Sequence, residues 1–147
     1  MTRSKAHAEA TSVEGVILYR LHTARDPRGA LTVAEMSLDM PFQPQRAFLT
    51  FEVPTTGVRG EHAHRECHQL LICTAGSVNV IADDGRTRQE FVLDRRDLAL
   101  YLPPMVWGVQ HKHSADAVLL VLASAPYDPE DYIRDYDVFR ESRVSSQ

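Results

Sequence analysis

His62 and His64 stand two residues apart in the stretch Arg59-Gly60-Glu61-His62-Ala63-His64. Residues at that spacing on an extended strand project from one face, so two imidazoles are aimed into one space. Imidazole titrates near neutrality and also ligates metals, so the pair suits proton transfer or metal binding. A general base needs a pKa near the working pH and reach to the proton it removes. Two histidines on one wall can serve as base and partner acid, or as base and orienter. Tyr101 alternates with leucines in Leu98-Ala99-Leu100-Tyr101-Leu102 and is a candidate proton donor or substrate partner; simple packing in a barrel mouth is the alternative. The planar fork of arginine suits phosphate. Arg59, Arg46 at the head of the strand leading to Phe48, and Arg28 in the turn Asp26-Pro27-Arg28-Gly29 are candidates for an anionic ligand. For each the alternative is a solvated charge or a surface ion pair, which is how Arg88, Arg95 and Arg96 read. Trp107 can stack on a base or fill the core.

These side chains need a scaffold, and the dominant pattern is short β-type runs broken by turn residues. Val16–Tyr19, Leu31–Met36, Ala47–Val53, His68–Thr74, Ser77–Ala82, Arg88–Leu93, Leu98–Leu102, Val106–His111 and Ala117–Leu122 read as strands. Ala75-Gly76 and Asp83-Asp84-Gly85 read as hairpin turns, and Pro103-Pro104 ends a strand because proline lacks the ladder N–H. Many short strands at this spacing predict an all-β sandwich or barrel. Asp128-Pro129-Glu130-Asp131 predicts a helix start, with Asp128 as N-cap and Pro129 at the first position. Tyr132, Ile133, Tyr136 and Phe139 then recur at helical spacing. The expected organisation is a flexible tail over residues 1–15, one domain over 16–140 and a frayed end over 141–147.

The 147 residues, 44% hydrophobic and 24% charged, fit one globular domain with a sizeable core. A net charge of −4 leaves no nucleic-acid footprint, and the apolar runs are far short of a membrane span. Met1 to Gly15 holds no apolar signal-peptide core, so a cytoplasmic location is expected. Cys67 and Cys73 are the only cysteines and read as free thiols; zinc through Cys67 and a nearby histidine is the alternative.

A β-barrel with a His-x-His strand resembles the cupin superfamily. Counting back from Gly76, the ligand glutamate of the first cupin motif falls on Gln69, and the histidine of the second falls on Gly108, after Pro103-Pro104-Met105-Val106-Trp107. An amide is a poor substitute for carboxylate at a transition metal and glycine offers no side chain, although His68 or His111 could take those places. Proton transfer fits better than metal binding.

The resemblance is closer still to the nucleotide-sugar 3,4-ketoisomerases, cupin-fold enzymes acting on dTDP-4-keto-6-deoxyglucose. It rests on Arg59-Gly60-Glu61-His62-Ala63-His64 with Gln69-Leu70-Leu71-Ile72-Cys73 and Gly76, on Asp83-Asp84-Gly85 with Leu100 to Trp107, and on Val121 to Ser124 with Tyr127 to Phe139. Asp26 to Leu31 is similar to the family's opening. The resemblance implies a jelly-roll cupin barrel with a short C-terminal helix, a metal-free tautomerase without a cofactor, and a homodimer. It implies a dTDP-linked 4-keto-6-deoxy sugar as substrate, taken to the 3-keto sugar through an enediolate. Carried over by position, His62 and His64 are the acid–base pair, with His62 favoured at C3 and His64 assisting at C4, or the reverse. Tyr101 is the candidate donor, and Arg59, Arg46, Arg28, Gln69 and Trp107 are the candidate substrate-binding residues. Phe48 stands where several relatives have tyrosine, His68 where glutamate is frequent, and Gly108 where a histidine commonly follows the tryptophan. The competing readings are a nucleotide-sugar epimerase of the same fold, a non-catalytic sugar-binding cupin, and a metal-dependent dioxygenase.

Overall fold

Alternation along each strand sorts side chains between two sheets, and the computed structural model, which describes residues 6–36 and 38–145, shows how. Its strands are β1 (His7–Ala10), β2 (Ile17–Arg20), β3 (His22–Asp26), β4 (Gly29–Val33), β5 (Arg46–Phe51), β6 (Arg59–His64), β7 (Gln69–Ala75), β8 (Val78–Asp83), β9 (Arg88–Leu93), β10 (Leu98–Leu102), β11 (Trp107–His111), β12 (Val118–Ala123) and β13 (Tyr132–Ile133), followed by helix α1 (Tyr136–Ser145). The larger sheet runs β1-β2-β10-β7-β12-β5 and the smaller β13-β6-β11-β8-β9, while β3 and β4 form a separate hairpin. Leu71 and Cys73 of β7, Leu98, Leu100 and Leu102 of β10, and Leu119 and Val121 of β12 meet Val78, Val80 and Ala82 of β8 and Phe91 and Leu93 of β9 in the core between the sheets. The opposite face of the large sheet carries Leu70, Ile72, Ala99 and Tyr101. The outer face of the small sheet is covered by the C-terminal segment, where Ala63 and Trp107 pack on Ile133 and Phe139. Among the described residues no helix is long and apolar enough to cross a membrane.

Each of the nine runs read as strands overlaps one that forms, and both cysteines are free and buried. Three local readings are corrected. The tail before residue 16 is partly built into the fold: β1 pairs along its whole length with β2, and Val13 is buried in the core. Its polar composition carries no alternation to announce this, because an edge strand needs only backbone partners. Ala75-Gly76 is not a hairpin, since β7 and β8 lie in different sheets. Gly76, at φ +66°, makes the crossing where a Cβ would lie 2.9 Å from the Ala117 Cα and collide with Ser114. Asp128 does cap, accepting from the Glu130 N–H at 3.0 Å, but it caps only a short 3-10 turn over Pro129–Asp131. The turn stops because Tyr132 and Ile133 pair with His64 and Ala63 of β6. The α-helix begins at Tyr136 behind a second cap, Asp135, which accepts from the Val138 N–H at 3.0 Å, and it holds residues 141–145 in helix.

Candidate active site

Strand β6 sets the histidines by way of a bulge. His62 lies opposite Gly108 of β11 and Gly60 opposite Val109, which leaves Glu61 without a partner. Gly60 at φ +80° and Glu61 at φ +56° supply the left-handed turn such a bulge needs. The extra residue shifts the alternation, so Arg59, opposite Gln110, comes to the same side as His62 although the two are three apart. Beyond the bulge the strand is regular, and His62 and His64 face the interior together. Gly60, Cys67, Gln69, Leu102, Gly108 and Gln110 line the same pocket.

The imidazole rings meet at right angles with centroids 5.0 Å apart, and the Tyr132 ring lies against both, at 4.8 Å and 4.4 Å. The Nδ1–H of His62 donates to the Gly60 carbonyl at 3.0 Å. A carbonyl only accepts, so this contact places the proton on Nδ1 and a lone pair on Nε2 of the neutral ring. The Nδ1–H of His64 donates to Asp131 Oδ2 at 2.9 Å, which fixes the same tautomer there. Burial first, then the neighbouring His64, pulls the His62 pKa down to about 4, against the Gly60 hydrogen bond and with help from Arg134 and Arg59. Burial also lowers His64, but Asp131 opposes it, while Arg46 and Arg134 add to the lowering. Both rings are therefore neutral at pH 7, each offering Nε2.

The rim is cationic and aromatic. The Arg46 guanidinium lies 5.3 Å from the centre of the Phe48 ring and 5.7 Å from that of Tyr127, and Arg134 lies 4.3 Å over Tyr132. Arg46 Nε, Thr50 Oγ1 and His64 Nε2 are buried polar atoms with no protein partner. Buried polar atoms are rarely left so, and His64 Nε2, which belongs to a pocket-lining residue, suits a site that takes a polar ligand. Among the described residues, His64, Cys67 and Asp131 form the one group of three metal-ligating types with donor atoms within 4.8 Å of one another. Those atoms are engaged: His64 with Asp131, and the Cys67 thiol with the His68 carbonyl at 3.4 Å.

The structure thus places His62, His64 and Gln69 in one pocket, with Arg59 and Arg46 close enough for their charges to act on His62 and His64 respectively. It does not bring Tyr101, Trp107 or Arg28 to them. Tyr101 lies on the other face of β10 from Leu102, its hydroxyl 2.6 Å from His68 Nδ1 and its ring stacked on Phe42 at 6.0 Å. Its alternation with the leucines was legible, but the histidines share the leucine side. Trp107 points away from the pocket, edge-on to Tyr136 at 5.3 Å and against Phe139, as core filling. Arg28 is exposed at the tip of the β3–β4 hairpin and pairs with Asp26 at 2.7 Å. Nor do His68 and His111 fill the vacant cupin ligand places: His68 is on the Tyr101 face and His111 pairs with Glu90 at 3.3 Å. Of the departures, Gly108 lines the pocket, whereas His68 does not touch its rim. Asp131, Tyr132, Arg134 and Gln110 were missed as site residues; the Asp131-Tyr132-Ile133-Arg134 run carries the family resemblance and was the available signal.

Comparison with known proteins follows the same lines. The family model described as FdtA, WxcM-like, C-terminal, matches residues 14–144. The TDP-4-oxo-6-deoxy-alpha-D-glucose-3,4-oxoisomerase of Aneurinibacillus thermoaerophilus is 43% identical over 116 residues, 79% of this chain and 84% of that protein. The sugar 3,4-ketoisomerase QdtA of Thermoanaerobacterium thermosaccharolyticum, solved in complex with TDP, superposes with a TM-score of 0.86 at 34% identity, over 90% of this chain and 97% of that one. A histidine-to-asparagine variant of QdtA, solved with TDP-4-keto-6-deoxyglucose, gives 0.87 at 33% identity, over 90% and 96% of the two chains.

Proposed function

Because the chain belongs to the FdtA, WxcM-like family of TDP-sugar 3,4-ketoisomerases with a cupin-like fold, we propose that His62 and His64 carry that family's reaction by proton transfer alone. The chain is a TDP-4-keto-6-deoxyglucose 3,4-ketoisomerase, an isomerase of deoxysugar biosynthesis. The observation that carries the mechanism is the pair of neutral imidazoles, 5.0 Å apart, each with its Nδ1–H committed and its Nε2 free for chemistry. The hydrogen at C3 is acidic because the C4 carbonyl lies next to it. A histidine removes it, giving an enediolate across C3 and C4, and proton return at C4 leaves the ketone at C3. Low proton affinity and burial suit a base that must begin each cycle neutral.

The rim supports the nucleotide end of the substrate. Arg46 and Arg59 are the groups for the diphosphate or sugar oxygens, joined by Arg134, and Gln69 faces the sugar from the pocket wall. Gln69 and Gly108 stand where a metal-binding cupin has ligands, which supports a metal-free reaction. A homodimer fits the outer face of the large sheet, where Leu49 and Phe51 of β5 are 53% and 58% exposed beside half-buried Leu120 and Leu122. Apolar surface of that kind on a sheet supports such an interface.

The deciding experiment is proton NMR of the protein with TDP-4-keto-6-deoxyglucose in deuterated water with chelator present. A 3-keto product carrying deuterium at C4 is expected. Deuterium uptake with the ketone still at C4 would indicate epimerase chemistry, and a spectrum unchanged but for ligand broadening would indicate binding alone. Tyr101→Phe tests the placement of that residue. Its kcat is expected to stay within about threefold of wild type, with a loss of about 1 kcal/mol in stability for the hydrogen bond to His68. A hundredfold loss of kcat in a folded Tyr101→Phe variant would return Tyr101 to the mechanism.

A further inference from the structure

We propose that His64, Cys67 and Asp131 form an inhibitory binding site for zinc or a similarly thiophilic divalent cation, set in the wall of the active-site pocket. The binding site stands on its own geometry; the inhibition rests on the acid–base reading of His64 above.

His64 ends β6, and two residues separate it from Cys67, a spacing that suits a chelating turn. That turn wraps around Asp131. The Arg65 N–H donates to the Asp131 carbonyl at 2.8 Å, the Glu66 N–H to Oδ1 at 2.8 Å and the Cys67 N–H to Oδ2 at 3.3 Å. A thiol, an imidazole and a carboxylate are thereby brought to one point, although Asp131 is 67 residues from His64 in the chain. One ring nitrogen of His64, the Cys67 sulfur and a carboxylate oxygen of Asp131 all lie within 4.8 Å of one another. Tetrahedral zinc bonds to such atoms at about 2.0–2.3 Å, which sets its ligands roughly 3.3–3.8 Å apart, so small side-chain shifts close the set on an ion.

The surroundings fit a cation held through sulfur. Cys67 is 4% exposed, and the side chains of His64 and Asp131 are 6% and 13% exposed. Backbone donors fix the carboxylate, and the Ser124 hydroxyl donates to the Cys67 sulfur at 3.7 Å; outer contacts of this kind orient metal ligands. His64 and Cys67 both line the pocket, which gives an ion a way in and leaves a fourth position open to water. A thiolate and an imidazole select zinc over magnesium and calcium, which prefer oxygen ligands. The charges of Arg46 and Arg134 also act on His64 and oppose a dication, which keeps the affinity below that of a closed four-ligand site.

Binding exchanges protons for the metal. The Cys67 thiol releases its proton to water and binds as thiolate, and Asp131 binds as carboxylate. The ion takes the place of the His64 Nδ1 proton, which moves to Nε2, so the ring stays neutral in the other tautomer. Nothing is oxidised or reduced, and the two anionic ligands balance the dication. His64 Nε2 then carries hydrogen and has no lone pair with which to accept a proton from the sugar, so turnover stops. Zinc at Cys67 and a histidine is thus assigned to inhibition and not to catalysis.

The test titrates zinc into the chelator-treated, full-length protein against a chromophoric chelator, with cobalt as spectroscopic probe and magnesium as control. A single zinc per chain is expected, with a thiolate-to-cobalt charge-transfer band in the wild type and in Cys73→Ala. Cys67→Ser is expected to lose that band and to weaken zinc binding about 100-fold or more, since outer partners alone cost about 10–100-fold. If Cys67→Ser does not fold, the band in Cys73→Ala still assigns the sulfur, because the chain has only these two thiols. Turnover of TDP-4-keto-6-deoxyglucose is expected to fall about 10²-fold or more at saturating zinc, the contribution of a positioned base. It is expected to return on adding chelator and to be indifferent to magnesium. Zinc bound without a cobalt charge-transfer band, or as tightly by folded Cys67→Ser as by wild type, would overturn the site. Cys67-dependent binding with full turnover would instead overturn the inhibition, and the acid–base reading of His64 with it.

Discussion

Replacement of His64 by asparagine is expected to lower kcat by about 10³-fold or more while the protein stays folded and continues to bind the TDP sugar. A positioned acid or base contributes about 10²–10⁴-fold, and both histidines of the proposed pair are needed to move the two protons of the isomerisation. Asparagine keeps a polar group facing Asp131, so the carboxylate is not left without a partner and the β6–β13 pairing need not shift. Steady-state rates alongside calorimetric titration with TDP-4-keto-6-deoxyglucose would check both halves. A folded variant with kcat within tenfold of wild type would remove His64 from the chemistry.

The sequence disclosed the scaffold better than the partners of the site. Alternation marks a strand wherever one face differs from the other, and β5, β9 and β12 show it in burial as well as in residue type. The His-x-His spacing likewise sufficed to place two imidazoles on one wall. What alternation does not say is which face of a strand is interior when both are covered. All five residues of β10 are buried, so its pattern separates Tyr101 from the leucines without saying which set meets the histidines. Trp107 presents the same difficulty on β11, where the pocket and the helix-covered face both accept a large ring. Asp131 lies 67 residues beyond His64 in the chain and reaches it only because Tyr132 and Ile133 pair with β6. A two-residue strand has no periodicity to read. Its apolar spacing with Tyr136 and Phe139 fits a helix equally well, because Ile133, Tyr136 and Phe139 all pack around Trp107. The N-terminal strand was invisible for a related reason: it is held by ladder bonds to β2 and by Val13 beyond it, not by burial of its own side chains.

Gly60 is the residue in which fold and chemistry are most tightly joined, and Gly60→Ala is expected to damage both. Its φ of +80° lies in the left-handed region, which an L side chain enters at a cost of about 1–2 kcal/mol. An added Cβ would also stand 2.9 Å from the Gly108 carbonyl oxygen, a backbone atom of a strand paired on both sides, with β6 and with β8. Neither strand can yield without breaking ladder bonds, so a total loss of about 2–4 kcal/mol is expected. The same shift reaches the active site directly. The Gly60 carbonyl receives the Nδ1–H of His62, and the bulge it opens is what turns Arg59 and His62 to one side. A displacement of about 1 Å in a catalytic group costs on the order of 10²-fold in rate, so the alanine variant should be slow even below its melting temperature. Urea denaturation midpoints and kcat measured at a temperature where the variant is fully folded separate the two losses. A destabilised variant with wild-type kcat would mean that β6 relaxes around the methyl group without moving His62, and the bulge would then serve the fold alone.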